Sequence, residues 1–255
     1  MYKAFSAQEF RDHFKLPNDY VVEGFLSYGA WDREKHVANI QKVLHDLGIE
    51  CTISTREGFL SYVSELKING KIYWFVVMYG GALLSEFVHL ASLFGSKRNI
   101  HIGSCGSLNP EMGYMELLLP TWAYGNESTT RVYEQDAKDF RHYPDEQLLK
   151  RVEEKIPEKY RKWKGPIITN QAMMGETWDD VKSWSEQGYF GVEMEVATIF
   201  AVSKHFDVPS AALLYGSDNL IKGQTVGDES HTKQKEERER VKEDVYRIGV
   251  LALLD

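Results

Sequence analysis

Residues 72–79 read IYWFVVMY, a run in which every position is apolar or aromatic and none marks a solvent face. Side chains of a strand alternate between its two faces. A strand apolar on both faces must therefore be covered on both, as a central strand of a helix-flanked sheet is. The punctuation around the run fits this. Asn69-Gly70 is a hairpin signal that pairs it with an upstream strand over 62–68, and Gly80-Gly81 ends it. A helical pattern follows over 82–94. Then come a short strand over 99–103 and the glycine-rich GSCGSL of 103–108. Strand, helix and strand in that order form the repeating unit of an α/β fold.

The same alternation extends outward. Residues 19–28 predict a strand ending at Gly29, and 33–47 a helix with Val37, Ile40, Val43, Leu44 and Leu47 at helical spacing. Further strands are predicted over 51–55, 115–120, 165–169 and 211–215, and helices over 145–155, 178–187 and 195–206. A charge-dense stretch over 228–244 leads into a last helix marked by Val241, Val245 and Ile248. The stretch 126–164 is polar, with one helix inside it. No repeat or low-complexity linker interrupts the 255 residues, so one α/β domain over 1–255 is expected. In such sheets ligands collect at the carboxyl ends of strands.

Composition narrows the partners. A formal net charge of −8 disfavours nucleic acid and anionic membranes, and an anionic ligand would need a local cluster of donors. Cys51 and Cys105 are too few for a disulfide framework or a metal site and are expected to be reduced thiols. The opening MYKAFSAQEFRDHF lacks the pattern of a secretory signal, and the run over 72–79 is too short to cross a bilayer, so a cytoplasmic location is expected.

Four segments place chemically useful residues at strand ends: GAWDR (29–33), IHIGSCGSL (100–108), GVEMEVAT (191–198) and YGSDN (215–219). Singly, each also fits an ordinary turn, a charge in the first turn of a helix, or a cap. Together they resemble the nucleoside phosphorylase family of purine nucleoside phosphorylases, uridine phosphorylases and nucleosidases. Residues 165–197 can be laid on the hexameric bacterial purine enzymes without a gap, and the looser resemblance spans nearly the whole chain.

The resemblance implies a mixed, twisted central sheet flanked by helices, and it implies roles. Met194 and Glu195 match the family's ribose-binding pair, with Glu193 before them, and a carboxylate can accept from two sugar hydroxyls. His13 sits where hexameric members offer a histidine to a neighbour's 5′-hydroxyl. Asp218, preceded by Ser217, matches the aspartate that handles N7 of a purine. Cys105, Gly106, Met173, Met174 and Val192 fall where the base is expected. Gly29, Arg33, Arg56, His101 and Ser104 fall at the phosphate positions, Arg56 serving a neighbouring subunit and the Ser104 segment offering backbone amides as an anion nest. Two departures stand out. Ala30-Trp31 replaces the usual Asp-Pro, and His101 replaces a third arginine, which weakens anion binding because histidine carries little charge near neutrality. The family's later arginine, partner to the catalytic aspartate, has three candidates here: His231, Arg238 and Arg240.

The implied activity is phosphorolysis of purine nucleosides to free base and (deoxy)ribose 1-phosphate. Inorganic phosphate is the co-substrate, with no metal or organic cofactor, in a homo-oligomer built of dimers and reaching a hexamer. Hydrolysis of a nucleoside, or of a nucleotide such as AMP, is the alternative, ahead of uridine phosphorolysis and of binding without catalysis.

Overall fold

A computed structural model describes residues 1–224 and 235–255. Its strands are β1 (Val22–Tyr28), β2 (Thr52–Thr55), β3 (Val63–Ile68), β4 (Lys71–Val77), β5 (Asn99–Ser107), β6 (Leu117–Tyr124), β7 (Arg141–His142), β8 (Lys162–Thr169), β9 (Gly191–Glu193) and β10 (Ser210–Asn219). Its helices are α1 (Ala7–His13), α2 (Arg33–Asp46), α3 (Gly81–Leu93), α4 (Ser128–Tyr133), α5 (Glu146–Glu154), α6 (Trp178–Glu186), α7 (Val196–His205) and, after the undescribed stretch, α8 (Lys235–Leu254).

The hairpin forms as the sequence predicts. Ile68 pairs with Lys71, and β4 then lies between β3 and β1, antiparallel to the first and parallel to the second. Alternation along the strands fixes the layers. Leu26, Phe75, Ile100 and Leu213 point into a core shared with α2, α5 and α8. Phe25, Trp74, Val76 and Leu214 point into the opposite core, shared with α3 and α7. Trp74, Phe25 and Phe75 are wholly buried, each contributing about 1.5–3 kcal/mol of transfer free energy.

The expected mixed sheet is present, with a closure that periodicity does not reveal. Its order is β10-β6-β8-β9-β5-β1-β4-β3-β2, and β10 also pairs with β5. Strands β5, β9, β8, β6 and β10 therefore close on themselves, and β1, β4, β3 and β2 extend from β5 as an open wing.

Two strands run past their expected ends, and both differences matter for the site. The GSCGS segment is not a loop. Its residues continue β5 and pair with β10 and β9, so the amides around Ser104 belong to a ladder and not to the αR–αL concavity of a nest. Small residues allow the neighbours in: a Cβ at Gly106 would stand 2.7 Å from the Leu220 side chain. Likewise β10 extends through Ser217 and Asp218 to Asn219. Helices α1 and α4 and the short β7 lie where no regular element was expected.

Candidate active site

The carboxyl ends of β1, β5 and β10, with the β9–α7 junction, surround a cavity of about 390 Å³. Gly29, Ser104, Cys105, Gly106, Met173, Val192, Glu193, Met194, Glu195, Ser217 and Asp218, all expected as site residues, line it. The two carboxylates on which the sequence argument turns, Glu195 and Asp218, therefore share one cavity, although 22 residues of chain lie between them.

Glu195 is 4% exposed, and its carboxylate position is set by backbone. The Gly80 N–H donates to Oε1 at 2.6 Å, from a residue whose φ of 89° lies in the region that favours glycine. On the other side Gly29 makes room: a Cβ there would stand 2.7 Å from Oε2. His101 Nε2 lies 3.8 Å from the same oxygen, while its Nδ1 is 2.9 Å from Ser27 Oγ. Burial pushes the His101 imidazole down to about 3, so it is neutral near pH 7 and supplies no permanent cation. Burial, with Glu193 beside it, raises the Glu195 carboxyl well above the usual range.

Glu193 reaches the same cavity, but its oxygens are occupied. Oε2 accepts the N–H groups of Glu195 at 2.6 Å and Val196 at 2.9 Å, and Thr169 Oγ1 donates to Oε1. It thus caps the first turn of α7, where the helix dipole favours negative charge. Among the described residues one group of metal-ligand side chains occurs, His101, Glu193 and Glu195, with ligand atoms within 4.8 Å of one another. The bonds just described already engage His101 Nδ1 and both Glu193 oxygens.

At the other end a bulge aims the aspartate. The β10–β5 register shifts between Gly216 and Asp218, so Ser217 is the extra residue. Ser217 Oγ lies 3.3 Å from the Cys105 carbonyl and donates to Asp218 Oδ1 at 2.9 Å. Glu176, which sequence reasoning missed, lines this end too. Burial and the neighbouring Asp218 raise its carboxyl above the ordinary value, opposed by a hydrogen bond from Asn170 Nδ2 at 3.0 Å. Trp31 and Tyr79 stack at the rim with centroids 3.9 Å apart, and the Tyr79 hydroxyl is 3.2 Å from Met173 Sδ. Met174, 90% exposed, is turned away.

The expected arginines and the remote histidine do not line this cavity. The Arg33 guanidinium donates to the Val63 carbonyl at 3.3 Å and to Ser64 Oγ at 3.2 Å, binding α2 to β3. Arg56 pairs with Glu65 at 2.6 Å and lies over the Tyr20 ring. His13, exposed at the end of α1, packs edge-on to Phe14. Of the three candidate partners for Asp218, Arg238 lines the cavity and donates to the Tyr114 hydroxyl at 2.8 Å. Arg240 is exposed and reaches Glu236 at 3.8 Å, and His231 lies outside the described residues. Tyr28, His36, Tyr215 and Lys242 complete this side of the cavity. The tyrosines were legible only as core residues and Lys242 only as part of a charge run.

Comparison with known proteins agrees with this architecture. A purine nucleoside phosphorylase (DeoD-type) of Clostridium beijerinckii is 24% identical over 85% of this chain and 90% of its own length. One of Thermoanaerobacter sp. is 27% identical over 87% and 93%, and one of Clostridium novyi is 28% identical over 58% and 61%. Among solved structures, the fold is shared with uridine phosphorylase from Vibrio fischeri (TM-score 0.72, 16% identity, covering 99% of this chain and 97% of that one). It is shared as well with AMP nucleosidase from Bacteroides thetaiotaomicron (TM-score 0.64, 18% identity, 98% and 97%). The sequence profile described as "Phosphorylase superfamily" matches residues 70–255, and the chain belongs to that superfamily.

Proposed function

We propose that the chain is a purine nucleoside phosphorylase, cleaving the bond between ribose and base with inorganic phosphate as co-substrate. The observation that carries this reading is the sharing of one cavity by Glu195 and Asp218. In this reading Glu195 accepts the ribose hydroxyls above Met194. Asp218, beside Ser217, donates a proton or hydrogen bond to N7 of the departing purine, a general-acid contribution of about 10²–10⁴-fold. Val192, Cys105, Gly106 and Met173 form the base pocket. Phosphate beside Ser104 stabilises the ribosyl cation and then attacks C1′, giving free base and ribose 1-phosphate. The parts require no metal or organic cofactor.

Hydrolysis to free ribose is the second reading. It is favoured by the neutral His101 and by Arg33, which bonds β3 through Nη2 and does not line the cavity. We propose further that the cytoplasmic enzyme is a single domain assembled from two-fold dimers, up to a hexamer. Support comes from Phe59 and Tyr62, 43% and 46% exposed between Arg56 and β3, an apolar surface suited to a partner subunit. Arg56 and His13 would then act on the neighbour's site.

A product assay tests the proposal. The purified protein is offered inosine, adenosine and uridine, each with and without phosphate. Purine release with ribose 1-phosphate, only when phosphate is present, is expected. Phosphate-independent release of free ribose would replace the first reading by the second, and release from no nucleoside would end both.

A further inference from the structure

The arginines expected to hold an anion do not line the cavity, yet it is not without cations. Arg238 and Lys242 both line it, four residues apart and therefore on one face of α8. Neighbouring strands β1, β5 and β10 present Tyr28, Ser104 and Tyr215. The Tyr28 and Tyr215 hydroxyls are 3.1 Å apart, and the Ser104 side chain bonds the Tyr215 hydroxyl. Two cations and three hydroxyls thus line one cavity. Gly29, which lines it too, adjoins the Glu195 carboxylate.

The geometry points to an anion subsite built from α8: Arg238 and Lys242, with Ser104, Tyr28 and Tyr215, bind a phosphate dianion next to the sugar position, in place of Arg33 and His101. The occupant is inorganic phosphate or the phosphate ester of a nucleotide, which offer these groups the same oxygens. The assignment of the neighbouring sugar position rests on the proposed function; the anion subsite itself does not.

The electrostatics agree with the geometry. Lys242 is 17% exposed at its side chain, and burial lowers its ammonium below the ordinary value. Glu239, 3.5 Å from Lys242, opposes that lowering, while Lys35 and then Arg238 add to it. A dianion beside Lys242 offsets the desolvation of its ammonium. Glu239 itself does not line the cavity. A guanidinium and an ammonium are the two side chains best suited to phosphate, the first as a fork and the second as a compact charge.

Calorimetric titration of the full chain tests this, with inorganic phosphate and a purine nucleoside 5′-monophosphate as separate probes. Lys242→Gln and Arg238→Gln are each expected to weaken phosphate binding by about 10- to 100-fold, the range for losing one charge-assisted contact. Lys242→Arg should recover most of that loss, and Arg33→Gln should shift binding by less than about twofold. Tighter binding of the inorganic ion identifies it as the occupant. Tighter binding of the monophosphate identifies the ester, provided the same two variants weaken it. Unchanged phosphate affinity in both α8 variants overturns the inference, as does a parent protein that binds neither probe. So does an equal loss of nucleoside binding, which would mean that the variants deform the cavity. If phosphate binds through α8 while no nucleoside is cleaved, the proposed function fails and this subsite stands.

Discussion

Replacing Gly29 by alanine isolates the packing on which Glu195 depends. Gly29 is not in the left-handed region, so its backbone accepts alanine, and the added methyl is the only perturbation. That methyl would stand 2.7 Å from Glu195 Oε2 and 3.1 Å from its Cδ, well inside the distance at which non-bonded atoms attract. The carboxylate must withdraw by about 0.5 Å or more to restore contact distance. Such a movement disturbs the 2.6 Å bond from the Gly80 N–H. Overpacking of this kind costs about 1–3 kcal/mol, and in a chain of this size the melting temperature should fall by about 3–10 °C. Because Glu195 is the proposed ribose ligand, kcat/KM for a purine nucleoside should fall by about 10- to 100-fold, equivalent to about 1.4–2.8 kcal/mol of transition-state stabilisation. Paired thermal melts and initial-rate kinetics read both effects. An alanine variant melting within about 1 °C of the parent, with kcat/KM within about twofold, would refute the argument that Gly29 sets the carboxylate position.

Three further outcomes are expected. Asp218→Asn should lower kcat for purine nucleosides by about 10²–10⁴-fold with little change in melting temperature, and retained turnover would remove Asp218 from the mechanism. Trp31→Ala, at a side chain 76% exposed, should alter stability by less than about 0.5 kcal/mol, yet raise KM by about 3- to 10-fold through loss of the stack on Tyr79; an unchanged KM would count against the rim as part of the binding surface. Burial holds His36 and His89 down to about 4 and His101 to about 3, so the unfolded chain protonates first as pH drops below about 6.5. Their contribution to stability is complete above that pH and is lost as pH falls toward their folded values. At pH ~5.5 each should cost about 1 kcal/mol relative to pH ~7.5, so His89→Gln should narrow the difference in unfolding free energy by about that amount in denaturant titrations at the two pH values; an identical pH dependence would show that His89 is not held neutral.

The sequence made the hairpin, the covered strand and most helices legible because each is decided by neighbours in the chain. Asn69-Gly70 dictates a turn, and 72–79 has no face for water. The ends of β5 and β10 were not legible. Glycine and serine suggest a loop when read locally, but here they permit close approach by Leu220 and Val192 at Gly106 and by Met112 at Gly216. Helix α1 escaped notice despite its capping box, in which Ser6 accepts from the Glu9 N–H and the Glu9 carboxylate accepts from the Ser6 N–H. At the site, the motif positions came together wherever the motif itself lies at a strand end, as for Gly29, Glu195 and Asp218. The arginines differ because a matching residue type does not fix a side-chain direction. Arg33 has the expected position and points to β3. Glu176 and Lys242 carried no local signal, since Glu176 meets the cavity from the turn before α6 and Lys242 through the packing of α8 against the sheet.

The closed set of β5, β9, β8, β6 and β10 has a consequence for how such a cavity can be altered by mutation. A strand bonded along both edges cannot slide in register without breaking two ladders, so the groups it carries, Asp218 and Ser104 among them, keep their separations while surrounding sequence drifts. Trp31 and α8 lie outside that ring and meet the cavity from beyond it. Side chains at those positions are therefore free to change without disturbing the separations held within the ring.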